Sequence, residues 1–182
     1  MILADKNILE HLPYALNGEN LNLVDPYLPW LIQPASYDVR LGTRILKPDS
    51  YNIYTVQDPD IDPQYTERKT PYQLAPDEFI LCHTLEKVNM PPWLAGKFEG
   101  KSSLGRLGLM THVTAGFIDP GFRGNLTLEV KNIGNNTLIL NAGIKIGQIS
   151  FMQMATEPEH KYGDLKLGSH YQNSEGVVGY RN

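Results

Sequence analysis

Cysteine is nearly absent from this chain: of 182 residues, only Cys82 carries a thiol. One thiol excludes an intramolecular disulfide and any multi-cysteine metal site. Cys82 ends the segment Glu78-Phe79-Ile80-Leu81-Cys82, an apolar setting that suits a small core residue better than a nucleophile. Long apolar runs are missing too, so no membrane span is expected. The segment Met1-Ile2-Leu3-Ala4-Asp5-Lys6 meets charge at once, which is not the pattern of a secretory leader. A reducing, cytoplasmic setting fits both observations. Positive charge is not in excess: 16 Lys and Arg stand against 20 Asp and Glu, for a formal net charge of -4. A broad electrostatic surface for nucleic acid is therefore not expected, and the few cations act locally. The five histidines (His11, His83, His112, His160 and His170) show no metal-ligand spacing. The His/Cys signature of zinc deaminases, the P-loop and the dinucleotide fingerprint are likewise missing.

Helix signals are also scarce. Asp5 to Leu12 reads as one short helix with Asp5 near its start and Pro13 closing it. Ser36 to Leu41 alternates as a strand and stops at Gly42. Pro48 to Pro76 is polar and rich in Pro, Asp and Tyr, and reads as a long excursion with one strand in it. Phe79 to Val88 supplies one or two strands before Pro91-Pro92, and Leu126 to Lys131, Thr137 to Leu140 and Ile144 to Met154 supply more. Short strands with Gly and Pro turns predict an all-β sandwich or barrel-like fold, with all 182 residues in one domain. The tail from about residue 159 to 182 lacks apolar periodicity. It reads either as a frayed end or as a segment that orders over a ligand.

What remains is chemistry concentrated between Gly100 and Asn132. Lys101-Ser102-Ser103-Leu104-Gly105-Arg106 places two hydroxyls between two cations. Ser-Ser-Leu-Gly-Arg reads as a helix start capped by a serine, and the same geometry, flanked by Lys101 and Arg106, is an anion site. Asp119-Pro120-Gly121 is an ordinary turn signal, or a turn whose carboxylate faces a ligand sugar or holds a water. On the strand Leu126 to Lys131, Leu126, Leu128 and Val130 take one face, and Asn125, Thr127, Glu129 and Lys131 take the other. If that second face is solvent, Glu129 is a surface charge. If it lines a cleft, Glu129 is a candidate general base. Mg²⁺ arriving on a triphosphate remains open, because Mg²⁺ commonly binds through phosphates and water.

These segments, in this order, resemble the dCTP deaminase branch of the dUTPase-like superfamily. The likeness is strong at Gly100 to Arg106, His112 to Phe122 and Leu126 to Asn132, and continues through Gly143-Ile144-Lys145-Ile146-Gly147-Gln148 and Tyr162-Gly163. It is weaker at Met1 to Asp5, at Pro34 to Gly42 and in the tail, and least informative from Thr43 to Gln73. The resemblance implies a mainly β, distorted jelly-roll-like fold, a homotrimer with active sites shared between subunits, and dCTP and dUTP as nucleotides. It implies zinc-free deamination, with Mg²⁺ on the triphosphate and Glu129 moving protons between water, C4 and the departing ammonia. On the same basis Ser102 and Arg106 position that water and the substrate, and Lys101, Ser102, Ser103, Leu104, Gly105 and Arg106 bind phosphate. Asp119 takes the sugar side, Thr127, Leu128 and Glu129 line the base, and Gln148, Tyr162, His170 and Ser174 contact nucleotide as the tail closes. Feedback by dTTP through His112-Val113-Thr114 is a further implication.

Ala115-Gly116 before Phe117-Ile118-Asp119 resembles the bifunctional members, which also cut the triphosphate and give dUMP, ammonia and diphosphate. The expected physical reason is that glycine leaves room for a second water, which Asp119 would hold. Monofunctional release of dUTP, a plain dUTP diphosphatase and a non-enzymatic nucleotide-sensing module are the alternatives. Three positions depart from the pattern. Lys101 stands where arginine is commoner, which loses the bidentate fork. His170 stands where lysine is usual, and Ser174 where glutamine is expected.

Overall fold

The computed structural model describes residues 1–49, 53–56, 58 and 60–181. One short helix opens it, α1 (Asp5–Leu9). Short strands follow: β1 (Tyr14–Leu16), β2 (Glu19–Leu21), β3 (Val24–Asp25), β4 (Ile32–Gln33), β5 (Ser36–Arg40), β6 (Arg44–Pro48), β7 (Tyr65–Lys69) and β8 (Tyr72–Leu74). Then come β9 (Phe79–Asn89), β10 (Leu94–Gly100), the one-turn helix α2 (Ser102–Gly105), β11 (Leu109–Thr111) and β12 (Phe117–Ile118). The long strand β13 (Arg123–Asn132), then β14 (Leu138–Leu140) and β15 (Lys145–Gln153), complete the sheets. Among the described residues no helix is long and apolar enough to cross a membrane.

Two sheets carry the architecture. One runs β12-β10-β15-β5-β4 and the other β11-β13-β9-β6-β7, with β3 also paired to β9. All of their ladders are antiparallel. Tyr37, Val39, Phe98, Ile149 and Phe151 from the first sheet join Ile80, Cys82, Leu128 and Val130 from the second in one apolar core. Burying apolar area of this kind is the main driving force for folding. Cys82 is fully buried, and burial pushes its thiol well up, so it is a packing residue.

Several expectations need correction. The first helix stops at Leu9 rather than Leu12, because Pro13 lacks an N–H and the preceding residues turn instead. Pro48 to Pro76 yields two strands, β7 and β8, since Tyr65–Lys69 pairs along β6 and Tyr72–Leu74 along β14. Ser50, Tyr51, Asn52, Gln57 and Pro59 of that excursion lie outside the described residues. Phe79 to Asn89 is one continuous strand. The strict alternation expected along β13 is broken by a register shift between Asn125 and Thr127, an irregularity of the β-bulge kind that re-aims side chains. Leu128 and Val130 are buried as expected, but Leu126 faces a cavity.

The tail is docked along the start of β13. Ser174 forms a parallel bridge with Gly124, and its carbonyl accepts the Asn125 N–H at 2.9 Å. The Gly176 N–H donates to the Asn125 side-chain oxygen at 2.9 Å, and the Val178 N–H to Thr127 Oγ1 at 3.1 Å. Further on, the Tyr180 N–H donates to the Tyr65 hydroxyl at 3.1 Å.

Candidate active site

A cavity of about 480 Å³ opens beside β13, a size that suits a small organic ligand. Leu126, Thr127, Leu128 and Glu129 form one wall, and Ala115 to Asp119 with His112 form another. Tyr162, Ser174 and the tail segment Val178-Gly179-Tyr180 close the third side. Phe98, Phe122 and Tyr171 add aromatic surface. Apolar walls with a few fixed polar groups are typical of small-molecule sites.

Glu129 is held rather than loose. Its Oε2 accepts the Thr114 N–H at 3.1 Å and the Thr114 hydroxyl at 3.0 Å. The Glu129 carbonyl accepts the His112 N–H at 2.8 Å, so His112 and Thr114 are laced to one strand residue. His112 adopts a φ of 69°, a left-handed backbone that is uncommon outside glycine. Its Nδ1 is buried with no hydrogen-bond partner, while its ring meets Phe98 edge-on at 5.5 Å.

Asp119 lies in a turn at the cavity edge. The Phe122 N–H donates to the Asp119 carbonyl at 3.2 Å, and Gly121 sits at φ 90°, so Asp119-Pro120-Gly121-Phe122 is a true turn. The Asp119 side chain is also exposed at the cavity edge. Tyr162 lies close by, its phenol oxygen accepting the Tyr171 N–H at 3.1 Å. Burial pushes the Tyr162 phenol up, the Tyr171 N–H offsets part of this, and Asp119 adds to the rise.

The expected site residues do not all meet in one place. Ala115, Gly116, Asp119, Thr127, Leu128, Glu129, Tyr162 and Ser174 line the cavity. Lys101, Ser102, Ser103, Leu104, Gly105, Arg106 and Gln148 do not, and neither does His170. No lysine or arginine among the described residues lines the cavity, although both cavity carboxylates are there.

Between β10 and β11, α2 (Ser102–Gly105) is flanked by Lys101 at its N-cap and Arg106 at its C-cap. No serine caps it; Lys101 stands at the N-cap without a capping side-chain hydrogen bond, and Ser102 is the first helical residue. That frees the exposed Ser102 and Ser103 hydroxyls. Arg106 is also exposed, whereas the Lys101 ammonium lies 2.6 Å from buried Asp38. Gln148 lies on β15 and accepts the Ser36 hydroxyl at 2.9 Å. His170 is exposed and packs edge-on against Tyr171 at 6.2 Å.

Gly116 also has a steric cause. A Cβ there would stand 2.8 Å from the Phe98 carbonyl oxygen, and the Phe98 N–H donates to the Gly116 carbonyl at 2.7 Å. The glycine lets β12 approach β10 closely, and it also lines the cavity.

Ser174 is 5% exposed, and its hydroxyl donates to the Tyr171 carbonyl at 2.6 Å. Its short side chain pins the tail, which a glutamine could not do in the same space. Sequence reasoning gave no role to Asn125, and none to Thr114 toward Glu129. Asn125 could have been found from its place on the polar face of a strand otherwise assigned to substrate. Its amide donates to the Thr84 carbonyl at 2.9 Å while its oxygen holds the tail.

A family model described as dCTP deaminase-like matches residues 2–154, most of the chain. The chain belongs to the dCTP deaminase-like family. Among its relatives is a protein of Corynebacterium efficiens named "dCTP deaminase, dUMP-forming", 42% identical across 100% of this chain and 96% of that one. A Bifidobacterium longum protein of the same name is 44% identical over 97% of this chain and 91% of its own. The solved 2'-deoxycytidine 5'-triphosphate deaminase of Agrobacterium tumefaciens superposes with a TM-score of 0.60 at 22% identity. That match covers 82% of this chain and 47% of the Agrobacterium chain, so this chain spans about half its length. The likeness bears out the mainly β, jelly-roll-like fold of the family.

Proposed function

We propose that this chain hydrolyses dCTP to dUMP, ammonia and diphosphate. The observation that carries this reading is Glu129, a carboxylate held by two Thr114 donors in a nucleoside-sized cavity. The same reaction is named for relatives aligned over nearly the whole chain.

Glu129 takes a proton from a water as that water's oxygen bonds to C4 of the cytosine. That proton returns to the exocyclic nitrogen, the proton left on the new C4 hydroxyl passes to N3, and the C4–N4 bond breaks, so ammonia leaves and a C4 carbonyl remains. A second water then attacks the α-phosphorus, and diphosphate departs. Asp119, exposed at the cavity edge, is the carboxylate left to orient this second water or the sugar. Ser102 and Arg106 would position substrate, and Arg106 would also meet phosphate charge.

A triphosphate needs cations, and the cavity wall offers none among the described residues. Its cations therefore come from elsewhere, and α2 carries exposed Arg106 with two free hydroxyls. This supports a homotrimer in which α2 and Gln148 of one copy complete the cavity of the next. Exposed Val113 and Phe117, close to the cavity, suit such a contact. Mg²⁺ would be carried on the phosphates and would neutralise their charge, and Asp119, exposed at the cavity edge, would be available to hold one of its waters. Binding of dTTP at the same cavity, sensed through His112 to Thr114, belongs to this reading.

A time course on dCTP that follows ammonia, dUTP, dUMP and diphosphate together tests it. Ammonia with dUMP and diphosphate is expected. Absence of ammonia overturns the deaminase, and accumulation of dUTP alone overturns the second hydrolysis. Co-refolding inactive Glu129→Gln with inactive Arg106→Ala should restore part of the activity if each site draws on two copies.

A further inference from the structure

A charged cluster around Asp38 lies outside the cavity. On β5, Tyr37 and Val39 point into the core, so Ser36 and Asp38 take the opposite face. Asp38 is nevertheless only 1% exposed. Two lysines cover it: Lys101 Nζ lies 2.6 Å from one carboxylate oxygen and Lys145 Nζ 3.0 Å from the other. Directly across the ladder from Asp38 stands Gln148, whose side-chain oxygen accepts the Ser36 hydroxyl. That bond leaves the Gln148 amide NH₂ as a donor for something else.

Lys145 and Gln148 come from one strand, β15, and Lys101 from a helix start, and Ser36 and Asp38 of a second strand hold all three. Two ammonium groups against one carboxylate leave a net positive charge. Each ammonium has three N–H groups and spends one on Asp38, so the others remain for an anion. A buried carboxylate costs desolvation, and its return here is the fixed side-by-side placement of two flexible lysines.

We propose that Lys145 is a further phosphate contact for the nucleotide, and that Asp38 is the positioning residue that sets Lys101 and Lys145 as a paired polyphosphate subsite. This rests on the reading of α2 and Gln148 as the triphosphate half of the site.

The test uses the full chain, with dCTP turnover and with inorganic tripolyphosphate binding by calorimetry. Lys145→Ala should raise KM for dCTP about tenfold with kcat within about twofold, the loss expected for one charge-assisted hydrogen bond. It should weaken tripolyphosphate to a similar degree, leave the affinity for deoxycytidine unchanged, and be largely rescued by Lys145→Arg. Unchanged KM and tripolyphosphate affinity would overturn the contact. Asp38→Asn separates positioning from charge by sign. It makes the cluster more positive, so a charge-only role predicts tighter tripolyphosphate, whereas positioning predicts weaker binding. Tighter binding overturns the positioning role. If Asp38→Asn does not fold, Lys145→Ala still decides, because its side chain is 44% exposed and its removal opens no core. A wild-type chain that binds tripolyphosphate through Lys145 but makes no ammonia from dCTP overturns the deaminase reading and leaves the subsite standing.

Discussion

Thr114 grips Glu129 with two donors from one residue, its backbone N–H and its hydroxyl, both on the same carboxylate oxygen. The other oxygen, Oε1, is left for a water or a base. Glu129→Gln keeps the bulk but cannot accept a proton, so ammonia release should vanish while dCTP binding persists. Undiminished ammonia release would remove Glu129 from the mechanism. Thr114→Val deletes only the hydroxyl. It should lower kcat about tenfold with little change in KM, since one hydrogen bond to a charged group is lost. Stopped assays for ammonia and for bound nucleotide read both effects.

Asp119 sits in a turn whose backbone is self-sufficient, because the hydrogen bond to Phe122 uses the carbonyl and not the side chain. Asp119→Asn should therefore leave the fold intact. If Asp119 orients the second water, diphosphate release should fall by about a hundredfold or more, in the range seen when a general acid or base is removed. Ammonia release would fall far less, and dUTP would accumulate. Equal loss of both products would make Asp119 a shared sugar contact.

At Gly116 the obstacle to a side chain is the Phe98 carbonyl oxygen, 2.8 Å from an ideal Cβ. Backbone cannot swing aside as a flexible side chain can. Gly116→Ala should cost about 1–3 kcal/mol, the usual range for overpacking, and weaken the Phe98 N–H bond to the Gly116 carbonyl. Hydrogen exchange at the Phe98 amide, with thermal unfolding, measures both. An unchanged melting temperature would mean that β12 can shift freely, and the glycine would then need another explanation.

The sequence made strands legible where apolar residues alternate between Gly and Pro turns, as on Ser36–Arg40 and Lys145–Gln153. It concealed β10, whose Leu94-Ala95-Gly96-Lys97-Phe98-Glu99-Gly100 contains two glycines that lower strand propensity. Those glycines serve close packing: a Cβ on Gly96 would meet the Met90 side chain. The residues that carry chemistry were legible by type and order, but their grouping was not. Strand period says which face Glu129 takes, not what lies opposite it. Nothing local ties Lys101 to Asp38, 63 positions away, because that pairing depends on the register of β5, β15 and β10. Thr114 and Asn125 escaped for the same reason: their partners come from β13 and the tail.

His83 supplies a pH dependence of stability separate from the site. It is 7% exposed, with its ring beneath Gly42. Nδ1 lies 2.8 Å from the Thr84 carbonyl, so it carries the proton, and Nε2 accepts the Arg44 N–H at 3.3 Å. The Nε2 bond requires the neutral ring, whereas the Nδ1 bond survives protonation. Burial lowers its pKa, the Thr84 carbonyl opposes this, and the Arg44 charge adds to the lowering. The unfolded chain then binds a proton near the ordinary histidine value of about 6.5, before the folded chain does. Stability is therefore unaffected above that pH, and falls as pH drops from there through the lowered folded value. Carboxylates paired in the folded state, such as Glu78 beside Lys47, have lowered values and lose their contribution at lower pH still. Thermal unfolding from pH 7.5 down to 5 should show the decline beginning near 6.5. His83→Gln, which cannot titrate, should start from a lower melting temperature but flatten that portion of the curve. An identical slope in the variant would assign the decline to another group.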